Sequence, residues 1–225
     1  MAESRGGGGG GLGPLLIYGA GGHAKVVADT ALVAGWELVG FADDDPARRG
    51  VRLVGHEVVA IGLDEAVGVA AAEGARVVVG IGGNAARAGA FRSLDETGVG
   101  WATIVHPAAV ISPRASLGDG TVVFGGCVVN VDAVVGRDVI LNTGATIDHD
   151  NRIGDHAHVS PGAHLGGTVG VGEGSHVGIG ACVRNNIVIG AGAVIGAGAV
   201  VVADIPDRVV AYGCPARVVR AAQGP

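Results

Sequence analysis

The 225-residue sequence predicts two architectures in series: a small parallel α/β domain, then a parallel β-helix built on a six-residue repeat. Three observations carry this. Apolar strand-like runs alternate with helix-like runs as far as about residue 104. From Val105 to Pro206 an aliphatic residue recurs at every sixth position without an insertion. The chain also holds 44 glycines but only 3% aromatics, so its core must be built from small aliphatic side chains.

The α/β domain is expected over residues 14–104, behind a Gly-rich segment at 1–13. That segment, MAESRGGGGGGLG, has no apolar core and reads as a flexible tail, not a signal peptide. PLLIYG is a first strand. AGGHAKVVADTALVAG follows as a helix, with helical spacing at Val26, Val27, Thr30, Ala31 and Ala34. ELVGF is a second strand and ends in ADDDP. VRLVGHEVVA is a weaker strand or hairpin, with His56 on an exposed loop. DEAVGVAAAEG reads as a helix, ARVVVGIG as a strand, and NAARAGAFRSLDETG as a helix opened by Asn84. Such alternation implies a small parallel sheet.

The repeat occupies residues 105–206 as seventeen hexads. Every first position is Val, Ile or Leu, and the fifth is small or β-branched in sixteen, Asn151 being the exception. A strict period of six is neither the 3.6 of a helix nor the 2 of a flat strand; it marks a solenoid whose short strands each cover one side of a coil. Three hexads complete a triangular coil of eighteen residues, so the chain winds between five and six coils. Strands stacked about 4.8 Å apart give a prism roughly 25–30 Å tall. Residues 207–225 form a C-terminal tail, and His106, before Pro107, reads as structural.

A net charge of −6 gives no electrostatic reason to expect nucleic acid or an anionic membrane as partner. Apolar runs are broken by Gly and Asp, so no membrane span is expected and the location is read as cytoplasmic. Cys127, Cys182 and Cys214 are widely spaced with no CxxC pair, which supports neither a zinc ribbon nor a disulfide framework.

Two stretches carry chemistry. GAGGHA, Gly19 to Ala24, follows the first strand and fits GxGxxA, with Asp43, Asp44 and Asp45 about twenty residues on. Glycines there let backbone N–H groups approach a phosphate at a helix N-terminus. Only about ninety residues are available, too few for both halves of a dinucleotide domain, so the pattern reads as half a Rossmann fold gripping one nucleotide. The bland alternative is a tight β–α turn with no ligand, in which the imidazole of His23 has no use.

The second stretch, ATIDHDNRIGDHAHVS, holds His149, His156 and His158. His158 and His176 are eighteen apart and occupy equivalent places on successive coils, while His149 and His156 fall at other hexad positions. A zinc site needs three or four converging ligands, and this layout offers at most a stacked pair, so no metal is expected. Proton transfer fits better. His149 has a carboxylate on either side, and one of them, Asp148 or Asp150, could fix its tautomer. Asn151 suggests that the coil is disturbed here for a purpose. His156, His164 and His176 read as solvated faces or subunit contacts.

With these residues the chain resembles the hexapeptide-repeat acyltransferases, and within them the NeuD/PglD-type sugar acetyltransferases. IYGAGGHAKVVAD, FADDDP, VGIGGN, HPAAVISP and LNTGATIDHD occur in that family's order, and the Gly-x-Pro-Ala element at Gly213 to Ala216 resembles its tail. The resemblance implies a left-handed coil, a homotrimer and acetyl-coenzyme A as co-substrate. It implies that Gly21, Gly22, His23 and Gly82 sit by the phosphate or sugar of a nucleotide-linked sugar, and Asp43 and Asp44 by its base or ribose. His149 maps to the catalytic base and Asp150 to its acidic partner, which is usually Glu. Asn142, His158, Gly167, Ile179 and Ala197 map to the acetyl-coenzyme A cleft.

The implied activity is transfer of acetyl to the amino group of a UDP- or GDP-linked 4-amino-deoxysugar, for bacterial surface glycan. Three other readings share the sequence: O-acetylation of a sugar such as sialic acid, a nicotinamide-binding oxidoreductase, and a non-enzymatic β-helix.

Overall fold

The computed structural model describes residues 11–222; most of the expected Gly-rich tail and the last three residues lie outside it. The first unit runs β1 (Pro14–Tyr18), α1 (Gly22–Ala34), β2 (Glu37–Asp43), β3 (Arg52–Leu53), β4 (His56–Ile61), α2 (Gly62–Glu73), β5 (Arg76–Val79) and α3 (Asn84–Asp95). Its sheet order is β3-β4-β2-β1-β5. All pairs are parallel except the β3–β4 hairpin, where His56 opens a strand and is half-buried. Leu15, Leu16 and Ile17 of β1 are all fully buried, since helices cover both faces and no alternation is needed. On α1 the buried stripe is Ala24, Val27, Ala28, Thr30 and Ala31. Val26, expected in that stripe, is 45% exposed, because at 100° per residue it lies about 200° round the helix from Ala24 and Ala28.

From Ile104 the chain winds as a left-handed parallel β-helix of two-residue strands on three faces. The first face stacks Ile104–Val105, Val122–Val123, Ile140–Leu141, His158–Val159, His176–Val177 and Val194–Ile195. The second includes Val128–Val129, Thr146–Ile147, His164–Leu165 and Cys182–Val183; the third includes Val134–Val135, Arg152–Ile153 and Gly170–Val171. Each strand pairs in register with the one eighteen residues on. First-position aliphatics and small fifth-position residues make one continuous core from Val123 to Val201.

The fourth hexad position explains the glycine content. From Gly120 to Gly198, fourteen successive fourth positions have positive φ. Eight are Gly; the others are Asp132, Asp138, Asp150, His156, Thr168 and Asn186. The corner needs a left-handed residue, which Gly adopts without the Cβ clash and Asn or Asp tolerates best.

Polar fifth positions clip one coil to the next. Thr121 Oγ1 donates to Gly136 O at 2.9 Å and accepts from Val139 N at 3.0 Å. Ser175 does the same to Gly190 O and Ala193 N. Asn151 makes two such bonds, Nδ2 to Gly166 O at 3.0 Å and Val169 N to Oδ1 at 2.7 Å, and a third within its own coil, Nδ2 to Asp148 O at 2.8 Å. The coil is therefore regular at Asn151, not disturbed, because the amide replaces a methyl group with bonds to three backbone groups.

The C-terminal segment is ordered strand as far as Ala221. Val209–Gly213 joins the first face beside Val194–Ile195, and Ala216–Ala221 folds back antiparallel on it. The first face also carries the α/β unit: α1 shares a core with Ile104, Val122, Phe124 and Ile140. No helix among the described residues is long and apolar enough to cross a membrane.

Candidate active site

The loop between β1 and α1 opens into a crevice of about 290 Å³. Gly21, Gly22, His23, Asp43, Asp44 and Gly82 all line it, together with Tyr18 and Ala20. Gly19 takes the tight turn at φ +107°, where a side chain would strike Ile81. Gly21 and Gly22 face open space, so the N-terminal N–H groups of α1 are exposed to the crevice. Both carboxylate oxygens of Asp43 hold the loop itself, accepting from Ala20 N at 2.7 Å and Asp45 N at 3.0 Å. Asp44 accepts from the Tyr18 hydroxyl. Burial and that bond push the phenol well above its ordinary range.

His23 turns inward. Its ring meets Phe124 of the coil edge-on, with centroids 5.5 Å apart, and its Nε2 is buried without a partner. Burial, and then the charge of Arg87, hold it down at about 4, so the imidazole is neutral near pH 7.

His149 lies on the corner between the second and third faces. Its Nδ1 donates to Asp150 Oδ2 at 2.7 Å, and its backbone N–H donates to Asp148 Oδ1 at 2.8 Å. Asp148 also accepts from Asn130 Nδ2, so it shapes the turn while Asp150 holds the ring. The left-handed φ of +58° at Asp150 goes with this geometry, bringing the shorter Asp side chain within reach of the imidazole. The Asp150 bond raises the His149 pKa above its usual value of 6.5. The ring is about half exposed and its Nε2 is left to accept a proton. Gly167, one coil on, backs it: a Cβ there would come within 2.5 Å of His149 Nε2.

His158 and His176 form a different group, on the first face. Asn142 Nδ2 lies 3.1 Å from His158 Nε2, and Asn142 Oδ1 accepts from Thr143 N. His158 is 8% exposed, packs against His176 with centroids 4.7 Å apart and planes tilted by 55°, and lies 6.5 Å from the His23 ring. Burial, chiefly, lowers its pKa to about 3. Below it a cavity of about 670 Å³ runs between α3 and the coil. Ile179 and Ala197 line it, with Gly178, Val194, Gly196 and His176.

The expected cleft residues are thus divided within one chain. Asn142, His158, Ile179 and Ala197 go with the first face, whereas Gly167 goes with His149. The His149 corner is the one opposite the first face, which carries the crevice, so one chain does not bring His149 to Gly21–His23.

His156, expected on a solvated face or a subunit contact, is 5% exposed. It is bonded through Nδ1 to Asp138 Oδ2 at 2.8 Å, because α3 covers its corner. His176 likewise lines the cavity and meets Ser160 Oγ at 2.9 Å, while His164 stays exposed beside Thr146. Asn84 does not cap α3, whose N-cap is Gly83; its amide bonds to the coil. Tyr18, Arg87 and Asn84 are the polar neighbours of these sites that sequence reading missed. A lone Arg in NAARAGAF carries no local signal of burial. Among the described residues no three His, Cys, Asp or Glu side chains are grouped as for a metal ion.

The family model for the PglD N-terminal domain matches residues 14–94. PerB from Caulobacter crescentus, solved with CoA and GDP-perosamine, is 39% identical with a TM-score of 0.85, covering 92% of this chain and 98% of its own. The acetyltransferase domain of PglB from Neisseria gonorrhoeae, solved with acetyl coenzyme A, is 36% identical with a TM-score of 0.83, covering 93% and 100%. WeeI from Acinetobacter baumannii shares the fold at 24% identity and a TM-score of 0.77, covering 91% and 99%. No curated protein sequence matches the chain.

Proposed function

Because the chain belongs to the NeuD/PglD-type sugar acetyltransferases of the hexapeptide-repeat superfamily, we propose that it acetylates the amino group of a nucleotide-linked amino sugar, with acetyl-coenzyme A as donor. The observation that carries the chemistry is the His149–Asp150 pair, a half-exposed imidazole with its Nδ1 proton held and its Nε2 available. His149 takes the proton from the amine as the C–N bond forms, and Asp150 stabilises the imidazolium that results. Cys127 is buried with its pKa pushed up to about 12, and Cys182 and Cys214 lie outside both the crevice and the cavity, so direct transfer is favoured over a cysteine acyl-enzyme.

The acceptor's nucleotide belongs in the crevice. Its diphosphate meets the α1 N-terminus and the bare backbone of Gly21 and Gly22, beside His23 and Gly82. Asp44 is the better candidate for base or ribose, since Asp43 is occupied with the loop. Acetyl-coenzyme A supplies a thioester carbonyl, and the cavity suits its thin pantetheine arm. Gly178 and Gly196 line it, and a Cβ at either would strike the neighbouring coil or Tyr212. Ile179 and Ala197 offer backbone groups along this wall, with His158 and Asn142 above it. Gly167 reaches the donor from the His149 corner.

We propose a homotrimer in which His149 of one chain faces the crevice and cavity of its neighbour. Two facts support it: the opposed positions of His149 and the crevice, and the exposed aliphatics Val131, Val134, Ile179 and Val188 on the coil. The work is bacterial surface-glycan assembly in the cytoplasm, on a GDP- or UDP-linked 4-amino-deoxysugar.

The test is thiol release from acetyl-coenzyme A with UDP-, GDP- and dTDP-linked 4-amino sugars, beside free sialic acid. The expected result is turnover with one amino sugar, reduced by about 10²–10⁴ in His149→Ala. Turnover with the hydroxyl acceptor alone overturns the N-acetyl reading. A loss below about tenfold in His149→Ala removes that residue as base.

A further inference from the structure

We propose that Arg87 is a positioning residue that sets the acceptor crevice against the coil, acting through Gly82 and Asn84. The inference rests on the reading of the crevice as a nucleotide-sugar site. Arg87 leaves α3 and enters the corner between the third and first faces, where it is 1% exposed. Its Nε donates to Asp138, to the carboxylate Oδ2 and the backbone O, both at 3.1 Å. Its Nη2 donates to His156 O at 2.6 Å. The remaining nitrogen, Nη1, turns back to Gly82 O at 3.3 Å and Asn84 Oδ1 at 3.2 Å. One planar fork thus spans two successive coils on one side and the β5–α3 loop on the other.

The contacts continue in both directions. Asn84 Nδ2 reaches the next coil down, at Gly174 O and Ser175 O. Gly82 faces His23, whose Cβ lies 3.4 Å from where a Gly82 side chain would begin. Gly82 and His23 line the crevice, while Asn84 and His156 line the donor cavity, so Arg87 stands in the wall between them. After burial itself, its charge also disfavours protonation of His23 and His176.

Stability alone does not account for this choice. Burying two charges costs desolvation, and well-packed apolar residues hold such a junction as well or better. Asp138 Oδ1 has no partner among the described residues, a further cost. What guanidinium supplies is fixed geometry, with donors at set angles to acceptors on both units. On the donor side the fork holds only Asn84 and the His156 backbone, while the wall at Gly178, Ile179, Gly196 and Ala197 belongs to the coil itself.

The experiment pairs R87M/D138N, which removes both charges at similar volume and leaves at 138 a residue that tolerates the left-handed corner and still accepts from His156, with R87K, which keeps charge but loses the fork. Thermal melting, GDP and UDP binding by calorimetry, and KM for each substrate are measured on the full chain. The double variant is expected to stay folded, with nucleotide binding and acceptor KM weakened by about tenfold or more and donor KM within about threefold. R87K is expected to fall between it and the parent. A folded double variant that binds nucleotide within about twofold of the parent overturns the inference. Should the double variant fail to fold, R87K with lowered Tm but unchanged nucleotide binding overturns it as well. A parent that binds neither GDP nor UDP overturns the nucleotide reading and the inference with it.

Discussion

At the residue scale, His149 and Asp150 make a claim about pH. The carboxylate at Nδ1 stabilises the charged ring, so His149 loses its proton above the usual 6.5, yet only the neutral ring accepts one from the amine. The acid limb of kcat/KM should therefore lie above pH 6.5. Asp150→Asn removes the charge, so the limb should move to lower pH while kcat falls roughly 10–100-fold. An acid limb that stays in place in Asp150→Asn would detach that carboxylate from the base. Gly167→Ala places a methyl group where the His149 ring lies and should displace it. Steady-state kinetics should show kcat reduced by about tenfold or more with the melting temperature nearly unchanged.

At the element scale, the corner holding His149 depends on Asn151. Replacing it with Ala introduces a residue that fits the fifth hexad position elsewhere, so sterics are not in question. The change leaves Asp148 O, Gly166 O and Val169 N without their buried partner. Each such group costs about 1–3 kcal/mol, so Asn151→Ala should destabilise by roughly 2 kcal/mol or more. Differential scanning calorimetry should register a drop in Tm of roughly 4 °C or more. Ser175→Ala, which frees only two groups, should cost less; an equal or larger drop would mean that hydrogen-bond satisfaction does not govern these positions.

At the scale of the whole molecule, the division of the site between opposite sides of the prism is what the proposed trimer accounts for. Light scattering should give about three times the 21.9 kDa chain mass. Mixing two inactive variants is the sharper measurement. His149→Ala keeps the crevice, and Gly21→Trp blocks it while keeping His149. Co-assembled by refolding together, they should recover a substantial fraction of parental activity, since some interfaces then pair an intact base with an intact crevice. No recovery in demonstrably mixed trimers would place the base and crevice within one chain.

The repeat was legible because every hexad position has one environment: inward at the first, left-handed at the fourth, small and buried at the fifth. The six crevice residues were legible because a β–α loop and the ends of two neighbouring strands bring them together by local connectivity. His149 was marked by its flanking carboxylates, yet the sequence left Asp148 and Asp150 equivalent. The backbone of the corner decided between them, sending Asp148 to two N–H groups and Asp150 to the ring. His156 and Arg87 were misread or passed over because their burial is set by where α3 lands on the coil, a contact between residues 51 and 69 positions apart. By itself, then, the sequence determined the two architectures, the frame of the coil and the local chemistry of each loop, since these follow from period and nearest neighbours. Only the tertiary structure decided which face carries the α/β unit, and so which charges are buried and which corner that unit leaves uncovered. That choice is made by side chains distant in sequence competing to leave water.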